Sequence, residues 1–248
     1  MAVVGLGLVG GSLARALSAA GHEVVGYDRA AVRRAAAAAG AIASAAPSLG
    51  EAVAGADVIV LAASPAVNRR LLPEVARAAP ARAVITDVGS VKRGICAEAR
   101  RRRLLRFVGG HPMAGRERSG FASSSADLFR GRRWILTPEA QTDPRAVRAV
   151  RAIVRAVGAR PVVMDPAEHD RVVAFLSHVP QLVAWALQAA AESDAVASRR
   201  LGAAGPAFRD MTRLARSPRP LWREILREND VEVRRALAAL GRALRQRP

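Results

Sequence analysis

Short apolar runs alternate with helical patterns through the first two thirds of the chain, and this alternation predicts the fold class. Predicted strands cover residues 2–4, 23–27, 57–62, 83–87, 107–108, 134–137 and 161–164. Helical periodicity fills the intervals at about residues 12–20, from 31 onward, and at 67–78, 93–103 and 143–157. Strands that alternate with helices form a parallel sheet with helices on both faces. We therefore predict an α/β fold with a doubly wound, mostly parallel sheet.

The pattern changes near Asp165, where the strand signals end. Long helical repeats then run over residues 168–192, roughly 195–215 and 221–245. This change predicts two domains, an α/β domain at residues 1–166 and an all-helical C-terminal domain at residues 167–248.

A glycine-rich turn joins the first predicted strand to the first helix. Gly5 permits the tight turn, Gly7 lets a pyrophosphate approach the backbone, and Gly10 allows close packing of the helix on the strand. The start of the helix offers unpaired N–H groups and a positive dipole end to phosphates. We predict a Rossmann-type dinucleotide site that includes Leu8 and Val9; a glycine-rich turn in some other α/β protein is the alternative.

Asp28 ends the second predicted strand, eighteen residues beyond Gly10. An acid there can accept hydrogen bonds from the adenosine ribose and would repel a 2′-phosphate, although Arg29 partly offsets that repulsion. The pair therefore favours NAD over NADP. Ser64 and Pro65 follow the third strand at the same sheet edge and are further candidate cofactor contacts.

His111 stands among glycines in a predicted turn, residues 109–115, after the fifth strand. A neutral imidazole can take a proton from an alcohol as hydride leaves the same carbon, so we predict His111 as the general base. The alternative is a capping histidine in a tight turn. Ser90, after the fourth strand, is predicted to bond the same hydroxyl and to contact the cofactor; its alternative role is to cap the helix that starts near Val91.

Two polar pairs mark the helical region. His178 and Gln181 lie one turn apart beside Pro180, which must disturb the helix and free a backbone carbonyl. They predict a cleft wall, with a merely kinked core helix as the alternative. Arg209 and Arg213 also lie one turn apart, and their guanidinium groups suit carboxylates; a solvated face is the alternative in so arginine-rich a chain.

Composition narrows the class of protein. The net charge is +18, but the arginines are spread over the whole chain and aromatic residues make up only 4%, so we expect no nucleic-acid partner. No uncharged segment approaches the length of a membrane span, so we expect no membrane partner. The single cysteine, Cys96, fits a reducing cytoplasm, and without a cysteine cluster we expect no metal site. His169 is expected to be a polar residue at a helix start.

Five motifs occur in an order that is similar to that of the prephenate dehydrogenase family. They are residues 5–13 (GLGLVGGSL), 86–92 (TDVGSVK), 109–115 with Glu117 and residues 119–120, 177–180 (SHVP) and 208–213 (FRDMTR). The chain resembles this family of tyrosine-biosynthesis enzymes over nearly all its length.

The resemblance implies an NAD-dependent oxidative decarboxylation of prephenate to 4-hydroxyphenylpyruvate. His111 would polarise the ring hydroxyl, and Ser90 would bond it. Arogenate, which would give tyrosine directly, is the alternative substrate. A non-catalytic NAD-binding or nucleic-acid-binding regulator is the distant alternative.

The resemblance also implies roles for the remaining candidates. Arg213 would hold a substrate carboxylate with help from Arg209, His178 would line the cleft near the nicotinamide, and Glu117 would order or gate the entrance. The helical domain would bind substrate and mediate a homodimer. Many relatives have a second histidine where this chain has Gln181, which offers no counter-ion to the ammonium of arogenate. That departure favours prephenate.

Overall fold

The computed structural model describes residues 1–116 and 118–246. They form two compact units, one ending at His169 and the other beginning at Asp170. The sequence places the boundary three residues earlier, between residues 166 and 167.

Within the described residues, the first unit holds an eight-stranded sheet in the order β3-β2-β1-β4-β5-β6-β7-β8. Its strands are β1 (Ala2–Val4), β2 (Val25–Tyr27), β3 (Ser44–Ala45), β4 (Val58–Leu61), β5 (Val84–Asp87), β6 (Phe107–Pro112), β7 (Arg133–Thr137) and β8 (Arg160–Val163). All neighbours are parallel except β6 and β7. The predicted α/β fold with a mostly parallel sheet is confirmed.

The antiparallel pair has a local cause. The chain between β6 and β7 contains the short 3₁₀ turns Phe121–Ser123 and Ala126–Phe129, and no α-helix among its described residues. A parallel pair needs a crossover, which is usually a helix, whereas an antiparallel pair does not.

The helices of the first unit cover both faces of the sheet. They are α1 (Leu8–Ala19), α2 (Ala30–Ala38), α3 (Leu49–Val53), α4 (Pro65–Ala78), α5 (Arg93–Arg101) and α6 (Pro144–Ala156). Successive strand residues enter opposite cores: Val3 packs with the helices α1 and α6, whereas Ala2 and Val4 pack with α3, α4 and α5. Strands buried on both faces explain the continuous apolar runs of the sequence.

Two short elements, β3 and α3, span two and five residues and were not predicted from the sequence. The Oγ atom of Ser48 accepts the Glu51 N–H at 3.2 Å and caps α3. Serine followed three residues later by glutamate is a capping signal that the sequence does contain.

From Pro166 onward, the described chain contains helices and turns. They are α7 (Pro166–Val173), a π-helical turn (Ala174–His178), α8 (Val179–Ser193), α9 (Pro206–Thr212), α10 (Arg219–Glu228) and α11 (Asp230–Arg245), with 3₁₀ turns at Ser198–Ala203 and Arg213–Arg216. The π turn ends two residues before Pro180, a residue that cannot donate to the helix ladder.

Two predicted helices are divided in the structure. The helix expected over residues 195–215 is interrupted before Pro206, since Gly205 and Pro206 favour a helix start. The helix expected over residues 221–245 breaks at Asn229, whose φ of −117° is not helical. The side chain of Asn229 donates to the Asp170 carbonyl at 2.7 Å, which fixes this break against α7.

One helical run, Pro166–Ser193, is long and apolar enough by length and composition to cross a membrane. Our expectation that no uncharged segment approaches that length is wrong for this run. The finding is weak evidence for a membrane, because core helices of soluble proteins pass the same test. The run also contains a π-helical turn and four fully buried polar side chains, those of His169, Asp170, His178 and Gln181.

Candidate functional site

The glycine-rich turn between β1 and α1 has the shape of a phosphate-binding turn. Gly5 has a φ of +98°, and a Cβ at Gly10 would lie 1.9 Å from the Gly5 carbonyl oxygen, so both positions require glycine. A Cβ at Gly7 would meet no heavy atom within 4 Å. Among the described residues, no side chain caps α1. The N–H groups of Leu8 and Val9 therefore start a helix whose end suits an anion.

Asp28 is tied to this turn. Its carboxylate accepts the N–H of Leu6 at 2.7 Å and that of Arg29 at 2.6 Å. The Asp28 side chain is 20% exposed and that of Arg29 is 89% exposed. The Asp28 carboxylate is thus still accessible, and its contact with the adenosine ribose stays a prediction.

The loop after β4 is held by a residue that the sequence analysis missed. Ser64 precedes α4 and Pro65 is its first residue. The buried Asn68 donates to the Leu61 carbonyl at 3.1 Å and accepts the Ala63 N–H at 2.9 Å. Asn68 therefore fixes the loop that carries Ser64 and Pro65.

A buried ion pair lies at the carboxyl end of β5. The Asp87 carboxylate contacts the Lys92 ammonium directly, and the side chains are 1% and 0% exposed. Lys92 also donates to the Gly110 carbonyl at 2.7 Å, and Asp87 accepts the N–H groups of Gly89 at 2.8 Å and Gly110 at 3.1 Å. The pair joins the loop after β5 to β6 directly before His111. This ion pair was not predicted from the sequence. Lys92 is the only lysine in an arginine-rich chain, and that exception was the signal available for it.

Ser90 lies in the same loop. Helix α5 begins at Arg93 and its N-cap is Lys92, so the alternative role of Ser90 as a helix cap is wrong. The Ser90 Oγ atom is buried and has no hydrogen-bond partner among the described residues. Because a buried hydroxyl without a partner is costly, a ligand hydroxyl or amide would be favoured there.

His111 lies within β6 and not in a turn, which corrects the sequence analysis. Its preceding glycines are needed for space, since neither has a positive φ. A Cβ at Gly109 would lie 2.3 Å from the Thr137 hydroxyl, and one at Gly110 would lie 2.5 Å from the Asp87 carbonyl. Sheet pairing therefore holds the His111 backbone.

His169 is the partner that the sequence analysis missed. The His111 Nδ1 and His169 Nε2 atoms are 2.8 Å apart, within hydrogen-bonding distance. The ring centroids are 5.1 Å apart and the planes meet at 67°. His169 is also fully buried. A residue that was expected only to be polar at a helix start is thus in direct contact with the candidate base.

In the second unit, His178 and Gln181 are both fully buried. The His178 Nδ1 atom is 3.2 Å from the Asn229 side-chain nitrogen. Gln181 donates to the Leu214 carbonyl at 2.7 Å, whereas its Oε1 atom has no partner among the described residues. Gln181 thus presents a buried acceptor.

Arg209 and Arg213 line an open pocket of about 540 Å³ in the second unit. Arg209 lies in α9, and Arg213 begins the 3₁₀ turn that follows. The Arg209 guanidinium donates two hydrogen bonds, at 2.9 and 2.7 Å, to the Ala204 carbonyl, a neutral partner. Arg216 and two acidic side chains also line the pocket, so arginines outnumber acids and a carboxylate ligand is favoured.

The remaining sequence features are Glu117, candidate metal ligands and Cys96. Glu117 lies outside the described residues. Among the residues that the structure does describe, no group of three or more His, Cys, Asp or Glu could hold a metal ion. Burial raises the pKa of the Cys96 thiol to about 12, so this cysteine stays neutral and is a poor nucleophile.

Two sequence models of known families match successive stretches of the chain. The model described as the nucleotide-binding domain of prephenate dehydrogenase matches residues 13–163. The model described as its dimerization domain matches residues 165–246.

One individual relative agrees with these models. Prephenate dehydrogenase of Bacillus subtilis (strain 168) is 36% identical over 240 residues, which cover 93% of this chain and 64% of the relative. This chain therefore spans less than two thirds of that relative's length.

Two solved structures also resemble the chain closely. Prephenate dehydrogenase from A. aeolicus, in complex with hydroxyphenyl propionate and NAD+, has a TM-score of 0.88 and 31% identity, and the match covers 98% of this chain and 87% of that one. Synechocystis arogenate dehydrogenase has a TM-score of 0.86 and 29% identity, with 99% and 89% covered.

Proposed function

Since this chain belongs to the prephenate dehydrogenase family, we propose that it catalyses the NAD-dependent oxidative decarboxylation of prephenate to 4-hydroxyphenylpyruvate. The observation that carries this proposal is the placement of His111, which is fixed by β6 and contacted by His169 in the same unit as the phosphate-binding turn. The alternative of a non-catalytic NAD-binding protein gives no reason for such a histidine.

The first unit has the features that NAD requires. The open space at Gly7 and the uncapped start of α1 suit a pyrophosphate, and Asp28 suits the adenosine ribose. Ser64, Pro65 and Ser90 follow neighbouring strands at the edge where ligands of such sheets bind. When bound, NAD supplies the hydride acceptor.

The chain's own residues handle the proton and the substrate charge. His111 accepts the proton of the substrate hydroxyl, and the Ser90 hydroxyl, which has no partner among the described residues, bonds the same oxygen. Arg213 holds a substrate carboxylate, assisted by Arg209. Loss of carbon dioxide makes the ring aromatic, which renders the reaction practically irreversible.

Arogenate is a second candidate substrate because of Gln181. One N–H of its amide donates to the Leu214 carbonyl, and its Oε1 atom is a buried acceptor without a partner among the described residues. An acceptor pairs with the ammonium of arogenate and does not pair with the keto oxygen of prephenate. The absence of a negative charge at Gln181 favours prephenate, so the two arguments oppose each other.

We further propose a homodimer formed by the helical unit, with residues 1–166 serving the cofactor and residues 167–248 serving substrate and association. Large apolar side chains of the helical unit are exposed, including Leu237 and Leu244 of α11. Exposed apolar surface of this kind is typical of subunit interfaces. A cytoplasmic location fits the free thiol of Cys96.

The test follows reduced-nicotinamide absorbance with prephenate and with arogenate, each paired with NAD and with NADP. We expect the highest kcat/KM for prephenate with NAD. A higher value for arogenate would establish the second candidate. No reduction in any of the four mixtures would overturn the proposed activity.

A further inference from the structure

We propose that His169 is a positioning residue that fixes the tautomer of His111. The inference rests on the proposed role of His111 as proton acceptor. The contact between His111 Nδ1 and His169 Nε2, at 2.8 Å, carries the inference.

The contact constrains both rings. Between two neutral imidazoles, one hydrogen atom must lie in the contact, so one ring donates and the other accepts. A base that takes a proton through Nε2 must carry its own hydrogen on Nδ1. His111 then donates from Nδ1, and His169 accepts at Nε2 and carries its hydrogen on Nδ1. In this arrangement, the proton of a substrate hydroxyl goes to His111 Nε2 while the Nδ1–H bond is kept.

The surroundings of His169 strengthen its hydrogen bond with His111 and hold the residue in place. The side chain is fully buried, and a hydrogen bond removed from water is electrostatically stronger than an exposed one. Its backbone N–H donates to the Asp165 carbonyl at 2.8 Å, which fixes the first turn of α7. His169 is therefore held from its own helix while it contacts a histidine on β6.

The same contact also strengthens when His111 accepts a proton. The Nδ1–H of an imidazolium is a charged donor, and charged donors form shorter and stronger hydrogen bonds than neutral ones. His169 thus stabilises the protonated state of His111 without itself contacting the substrate.

The first test reads the tautomer without any substrate. The full chain is labelled with ¹⁵N-histidine, and its four histidines are assigned by single substitutions. At a pH where the imidazoles are neutral, ¹⁵N shifts show which nitrogen of each ring is protonated. We expect hydrogen on Nδ1 of His111 in the parent protein and a mixture of both tautomers in His169→Leu. Hydrogen on Nε2 of His111 in the parent protein would overturn the proposal.

The second test separates positioning from a general structural role. His169→Leu should lower kcat by about 10²–10⁴-fold with little change in KM, the scale of a base in the wrong tautomer. His169→Gln can still accept the Nδ1–H through its amide oxygen, so it should recover most of kcat. The matched control is His22→Leu at an exposed histidine, which should match the parent. Equal kcat losses in His169→Gln and His169→Leu, with both variants folded, would contradict positioning.

The two proposals fail in different ways. If the parent shows hydrogen on Nδ1 but reduces no nicotinamide, the inference about His169 stands and the proposed reaction falls. If His169→Leu does not fold, the parent spectrum and His169→Gln still decide.

Discussion

The two units of this chain have buried interiors of different size and composition. In the first unit, side chains from both faces of the sheet form two extensive buried clusters, and the ions that enter this interior, Asp87 and Lys92, pair with each other. In the second unit, the buried cluster consists of Ala174, Val179, Val233 and Ala236.

The difference continues at the surface. Of the eleven large apolar side chains that are exposed in the described residues, nine lie in the second unit, although it is the smaller one. A small helical unit with apolar side chains outside fits the proposed association through this unit. In the first unit, by contrast, helices cover both faces of the sheet.

The interior of the first unit is tested by Lys92→Met. The substitution leaves the Asp87 carboxylate buried without its counter-ion, so we expect the free energy of unfolding to fall by about 3–5 kcal/mol. Denaturant unfolding measures the change. The control is Arg82→Met, which removes an exposed ion pair with Asp57 and should cost much less. Equal losses in the two variants would show that the buried pair is not special.

The surface of the second unit is tested by Leu244→Glu. Leu237 and Leu244 lie seven residues apart on one face of α11 and are 38% and 66% exposed. A charge in the proposed interface should weaken dimerization by about 30-fold, measured by sedimentation equilibrium. Leu105→Glu, at a 52% exposed leucine of the first unit, is the control and should leave the mass unchanged. A parent protein that is monomeric would refute the proposed homodimer.

A smaller effect is expected at Gly7. A Cβ there meets no protein atom, so Gly7→Ala should melt at the parent's temperature while its Kd for NAD rises by about 10-fold. Calorimetric titration measures the Kd. Gly50→Ala, also at an open position, is the matched control and should leave the Kd for NAD unchanged. Unaltered NAD affinity in Gly7→Ala would mean that the pyrophosphate does not approach this glycine.

The sequence predicted what short-range patterns encode. The apolar runs of β1 and β4 and the glycine-rich turn were found because residues close in sequence carry the signal. The elements β3 and α3 were missed because two or five residues are too few to show a period. At the break, Asn229 contacts Asp170, 59 residues away, and periodicity does not reveal such a contact.

The residues of the candidate site divide in the same way between local patterns and long-range contacts. Gly5, Gly7 and Asp28 were predicted as cofactor residues from spacing, and these assignments stay predictions until NAD binding is measured. The contact of His111 with His169 joins residues 58 apart on different elements, and no local pattern predicts it. Gly110 was predicted to lie in a turn but lies in β6, where the atom that excludes a side chain belongs to Asp87 on another strand.

The most direct test of the account is the turnover of His111→Asn compared with its affinity for NAD. We predict that kcat with prephenate falls by about 10²–10⁴-fold, since the proton acceptor is lost, while the Kd for NAD stays near that of the parent. A folded variant with unchanged kcat would contradict the central claim that His111 takes the substrate proton.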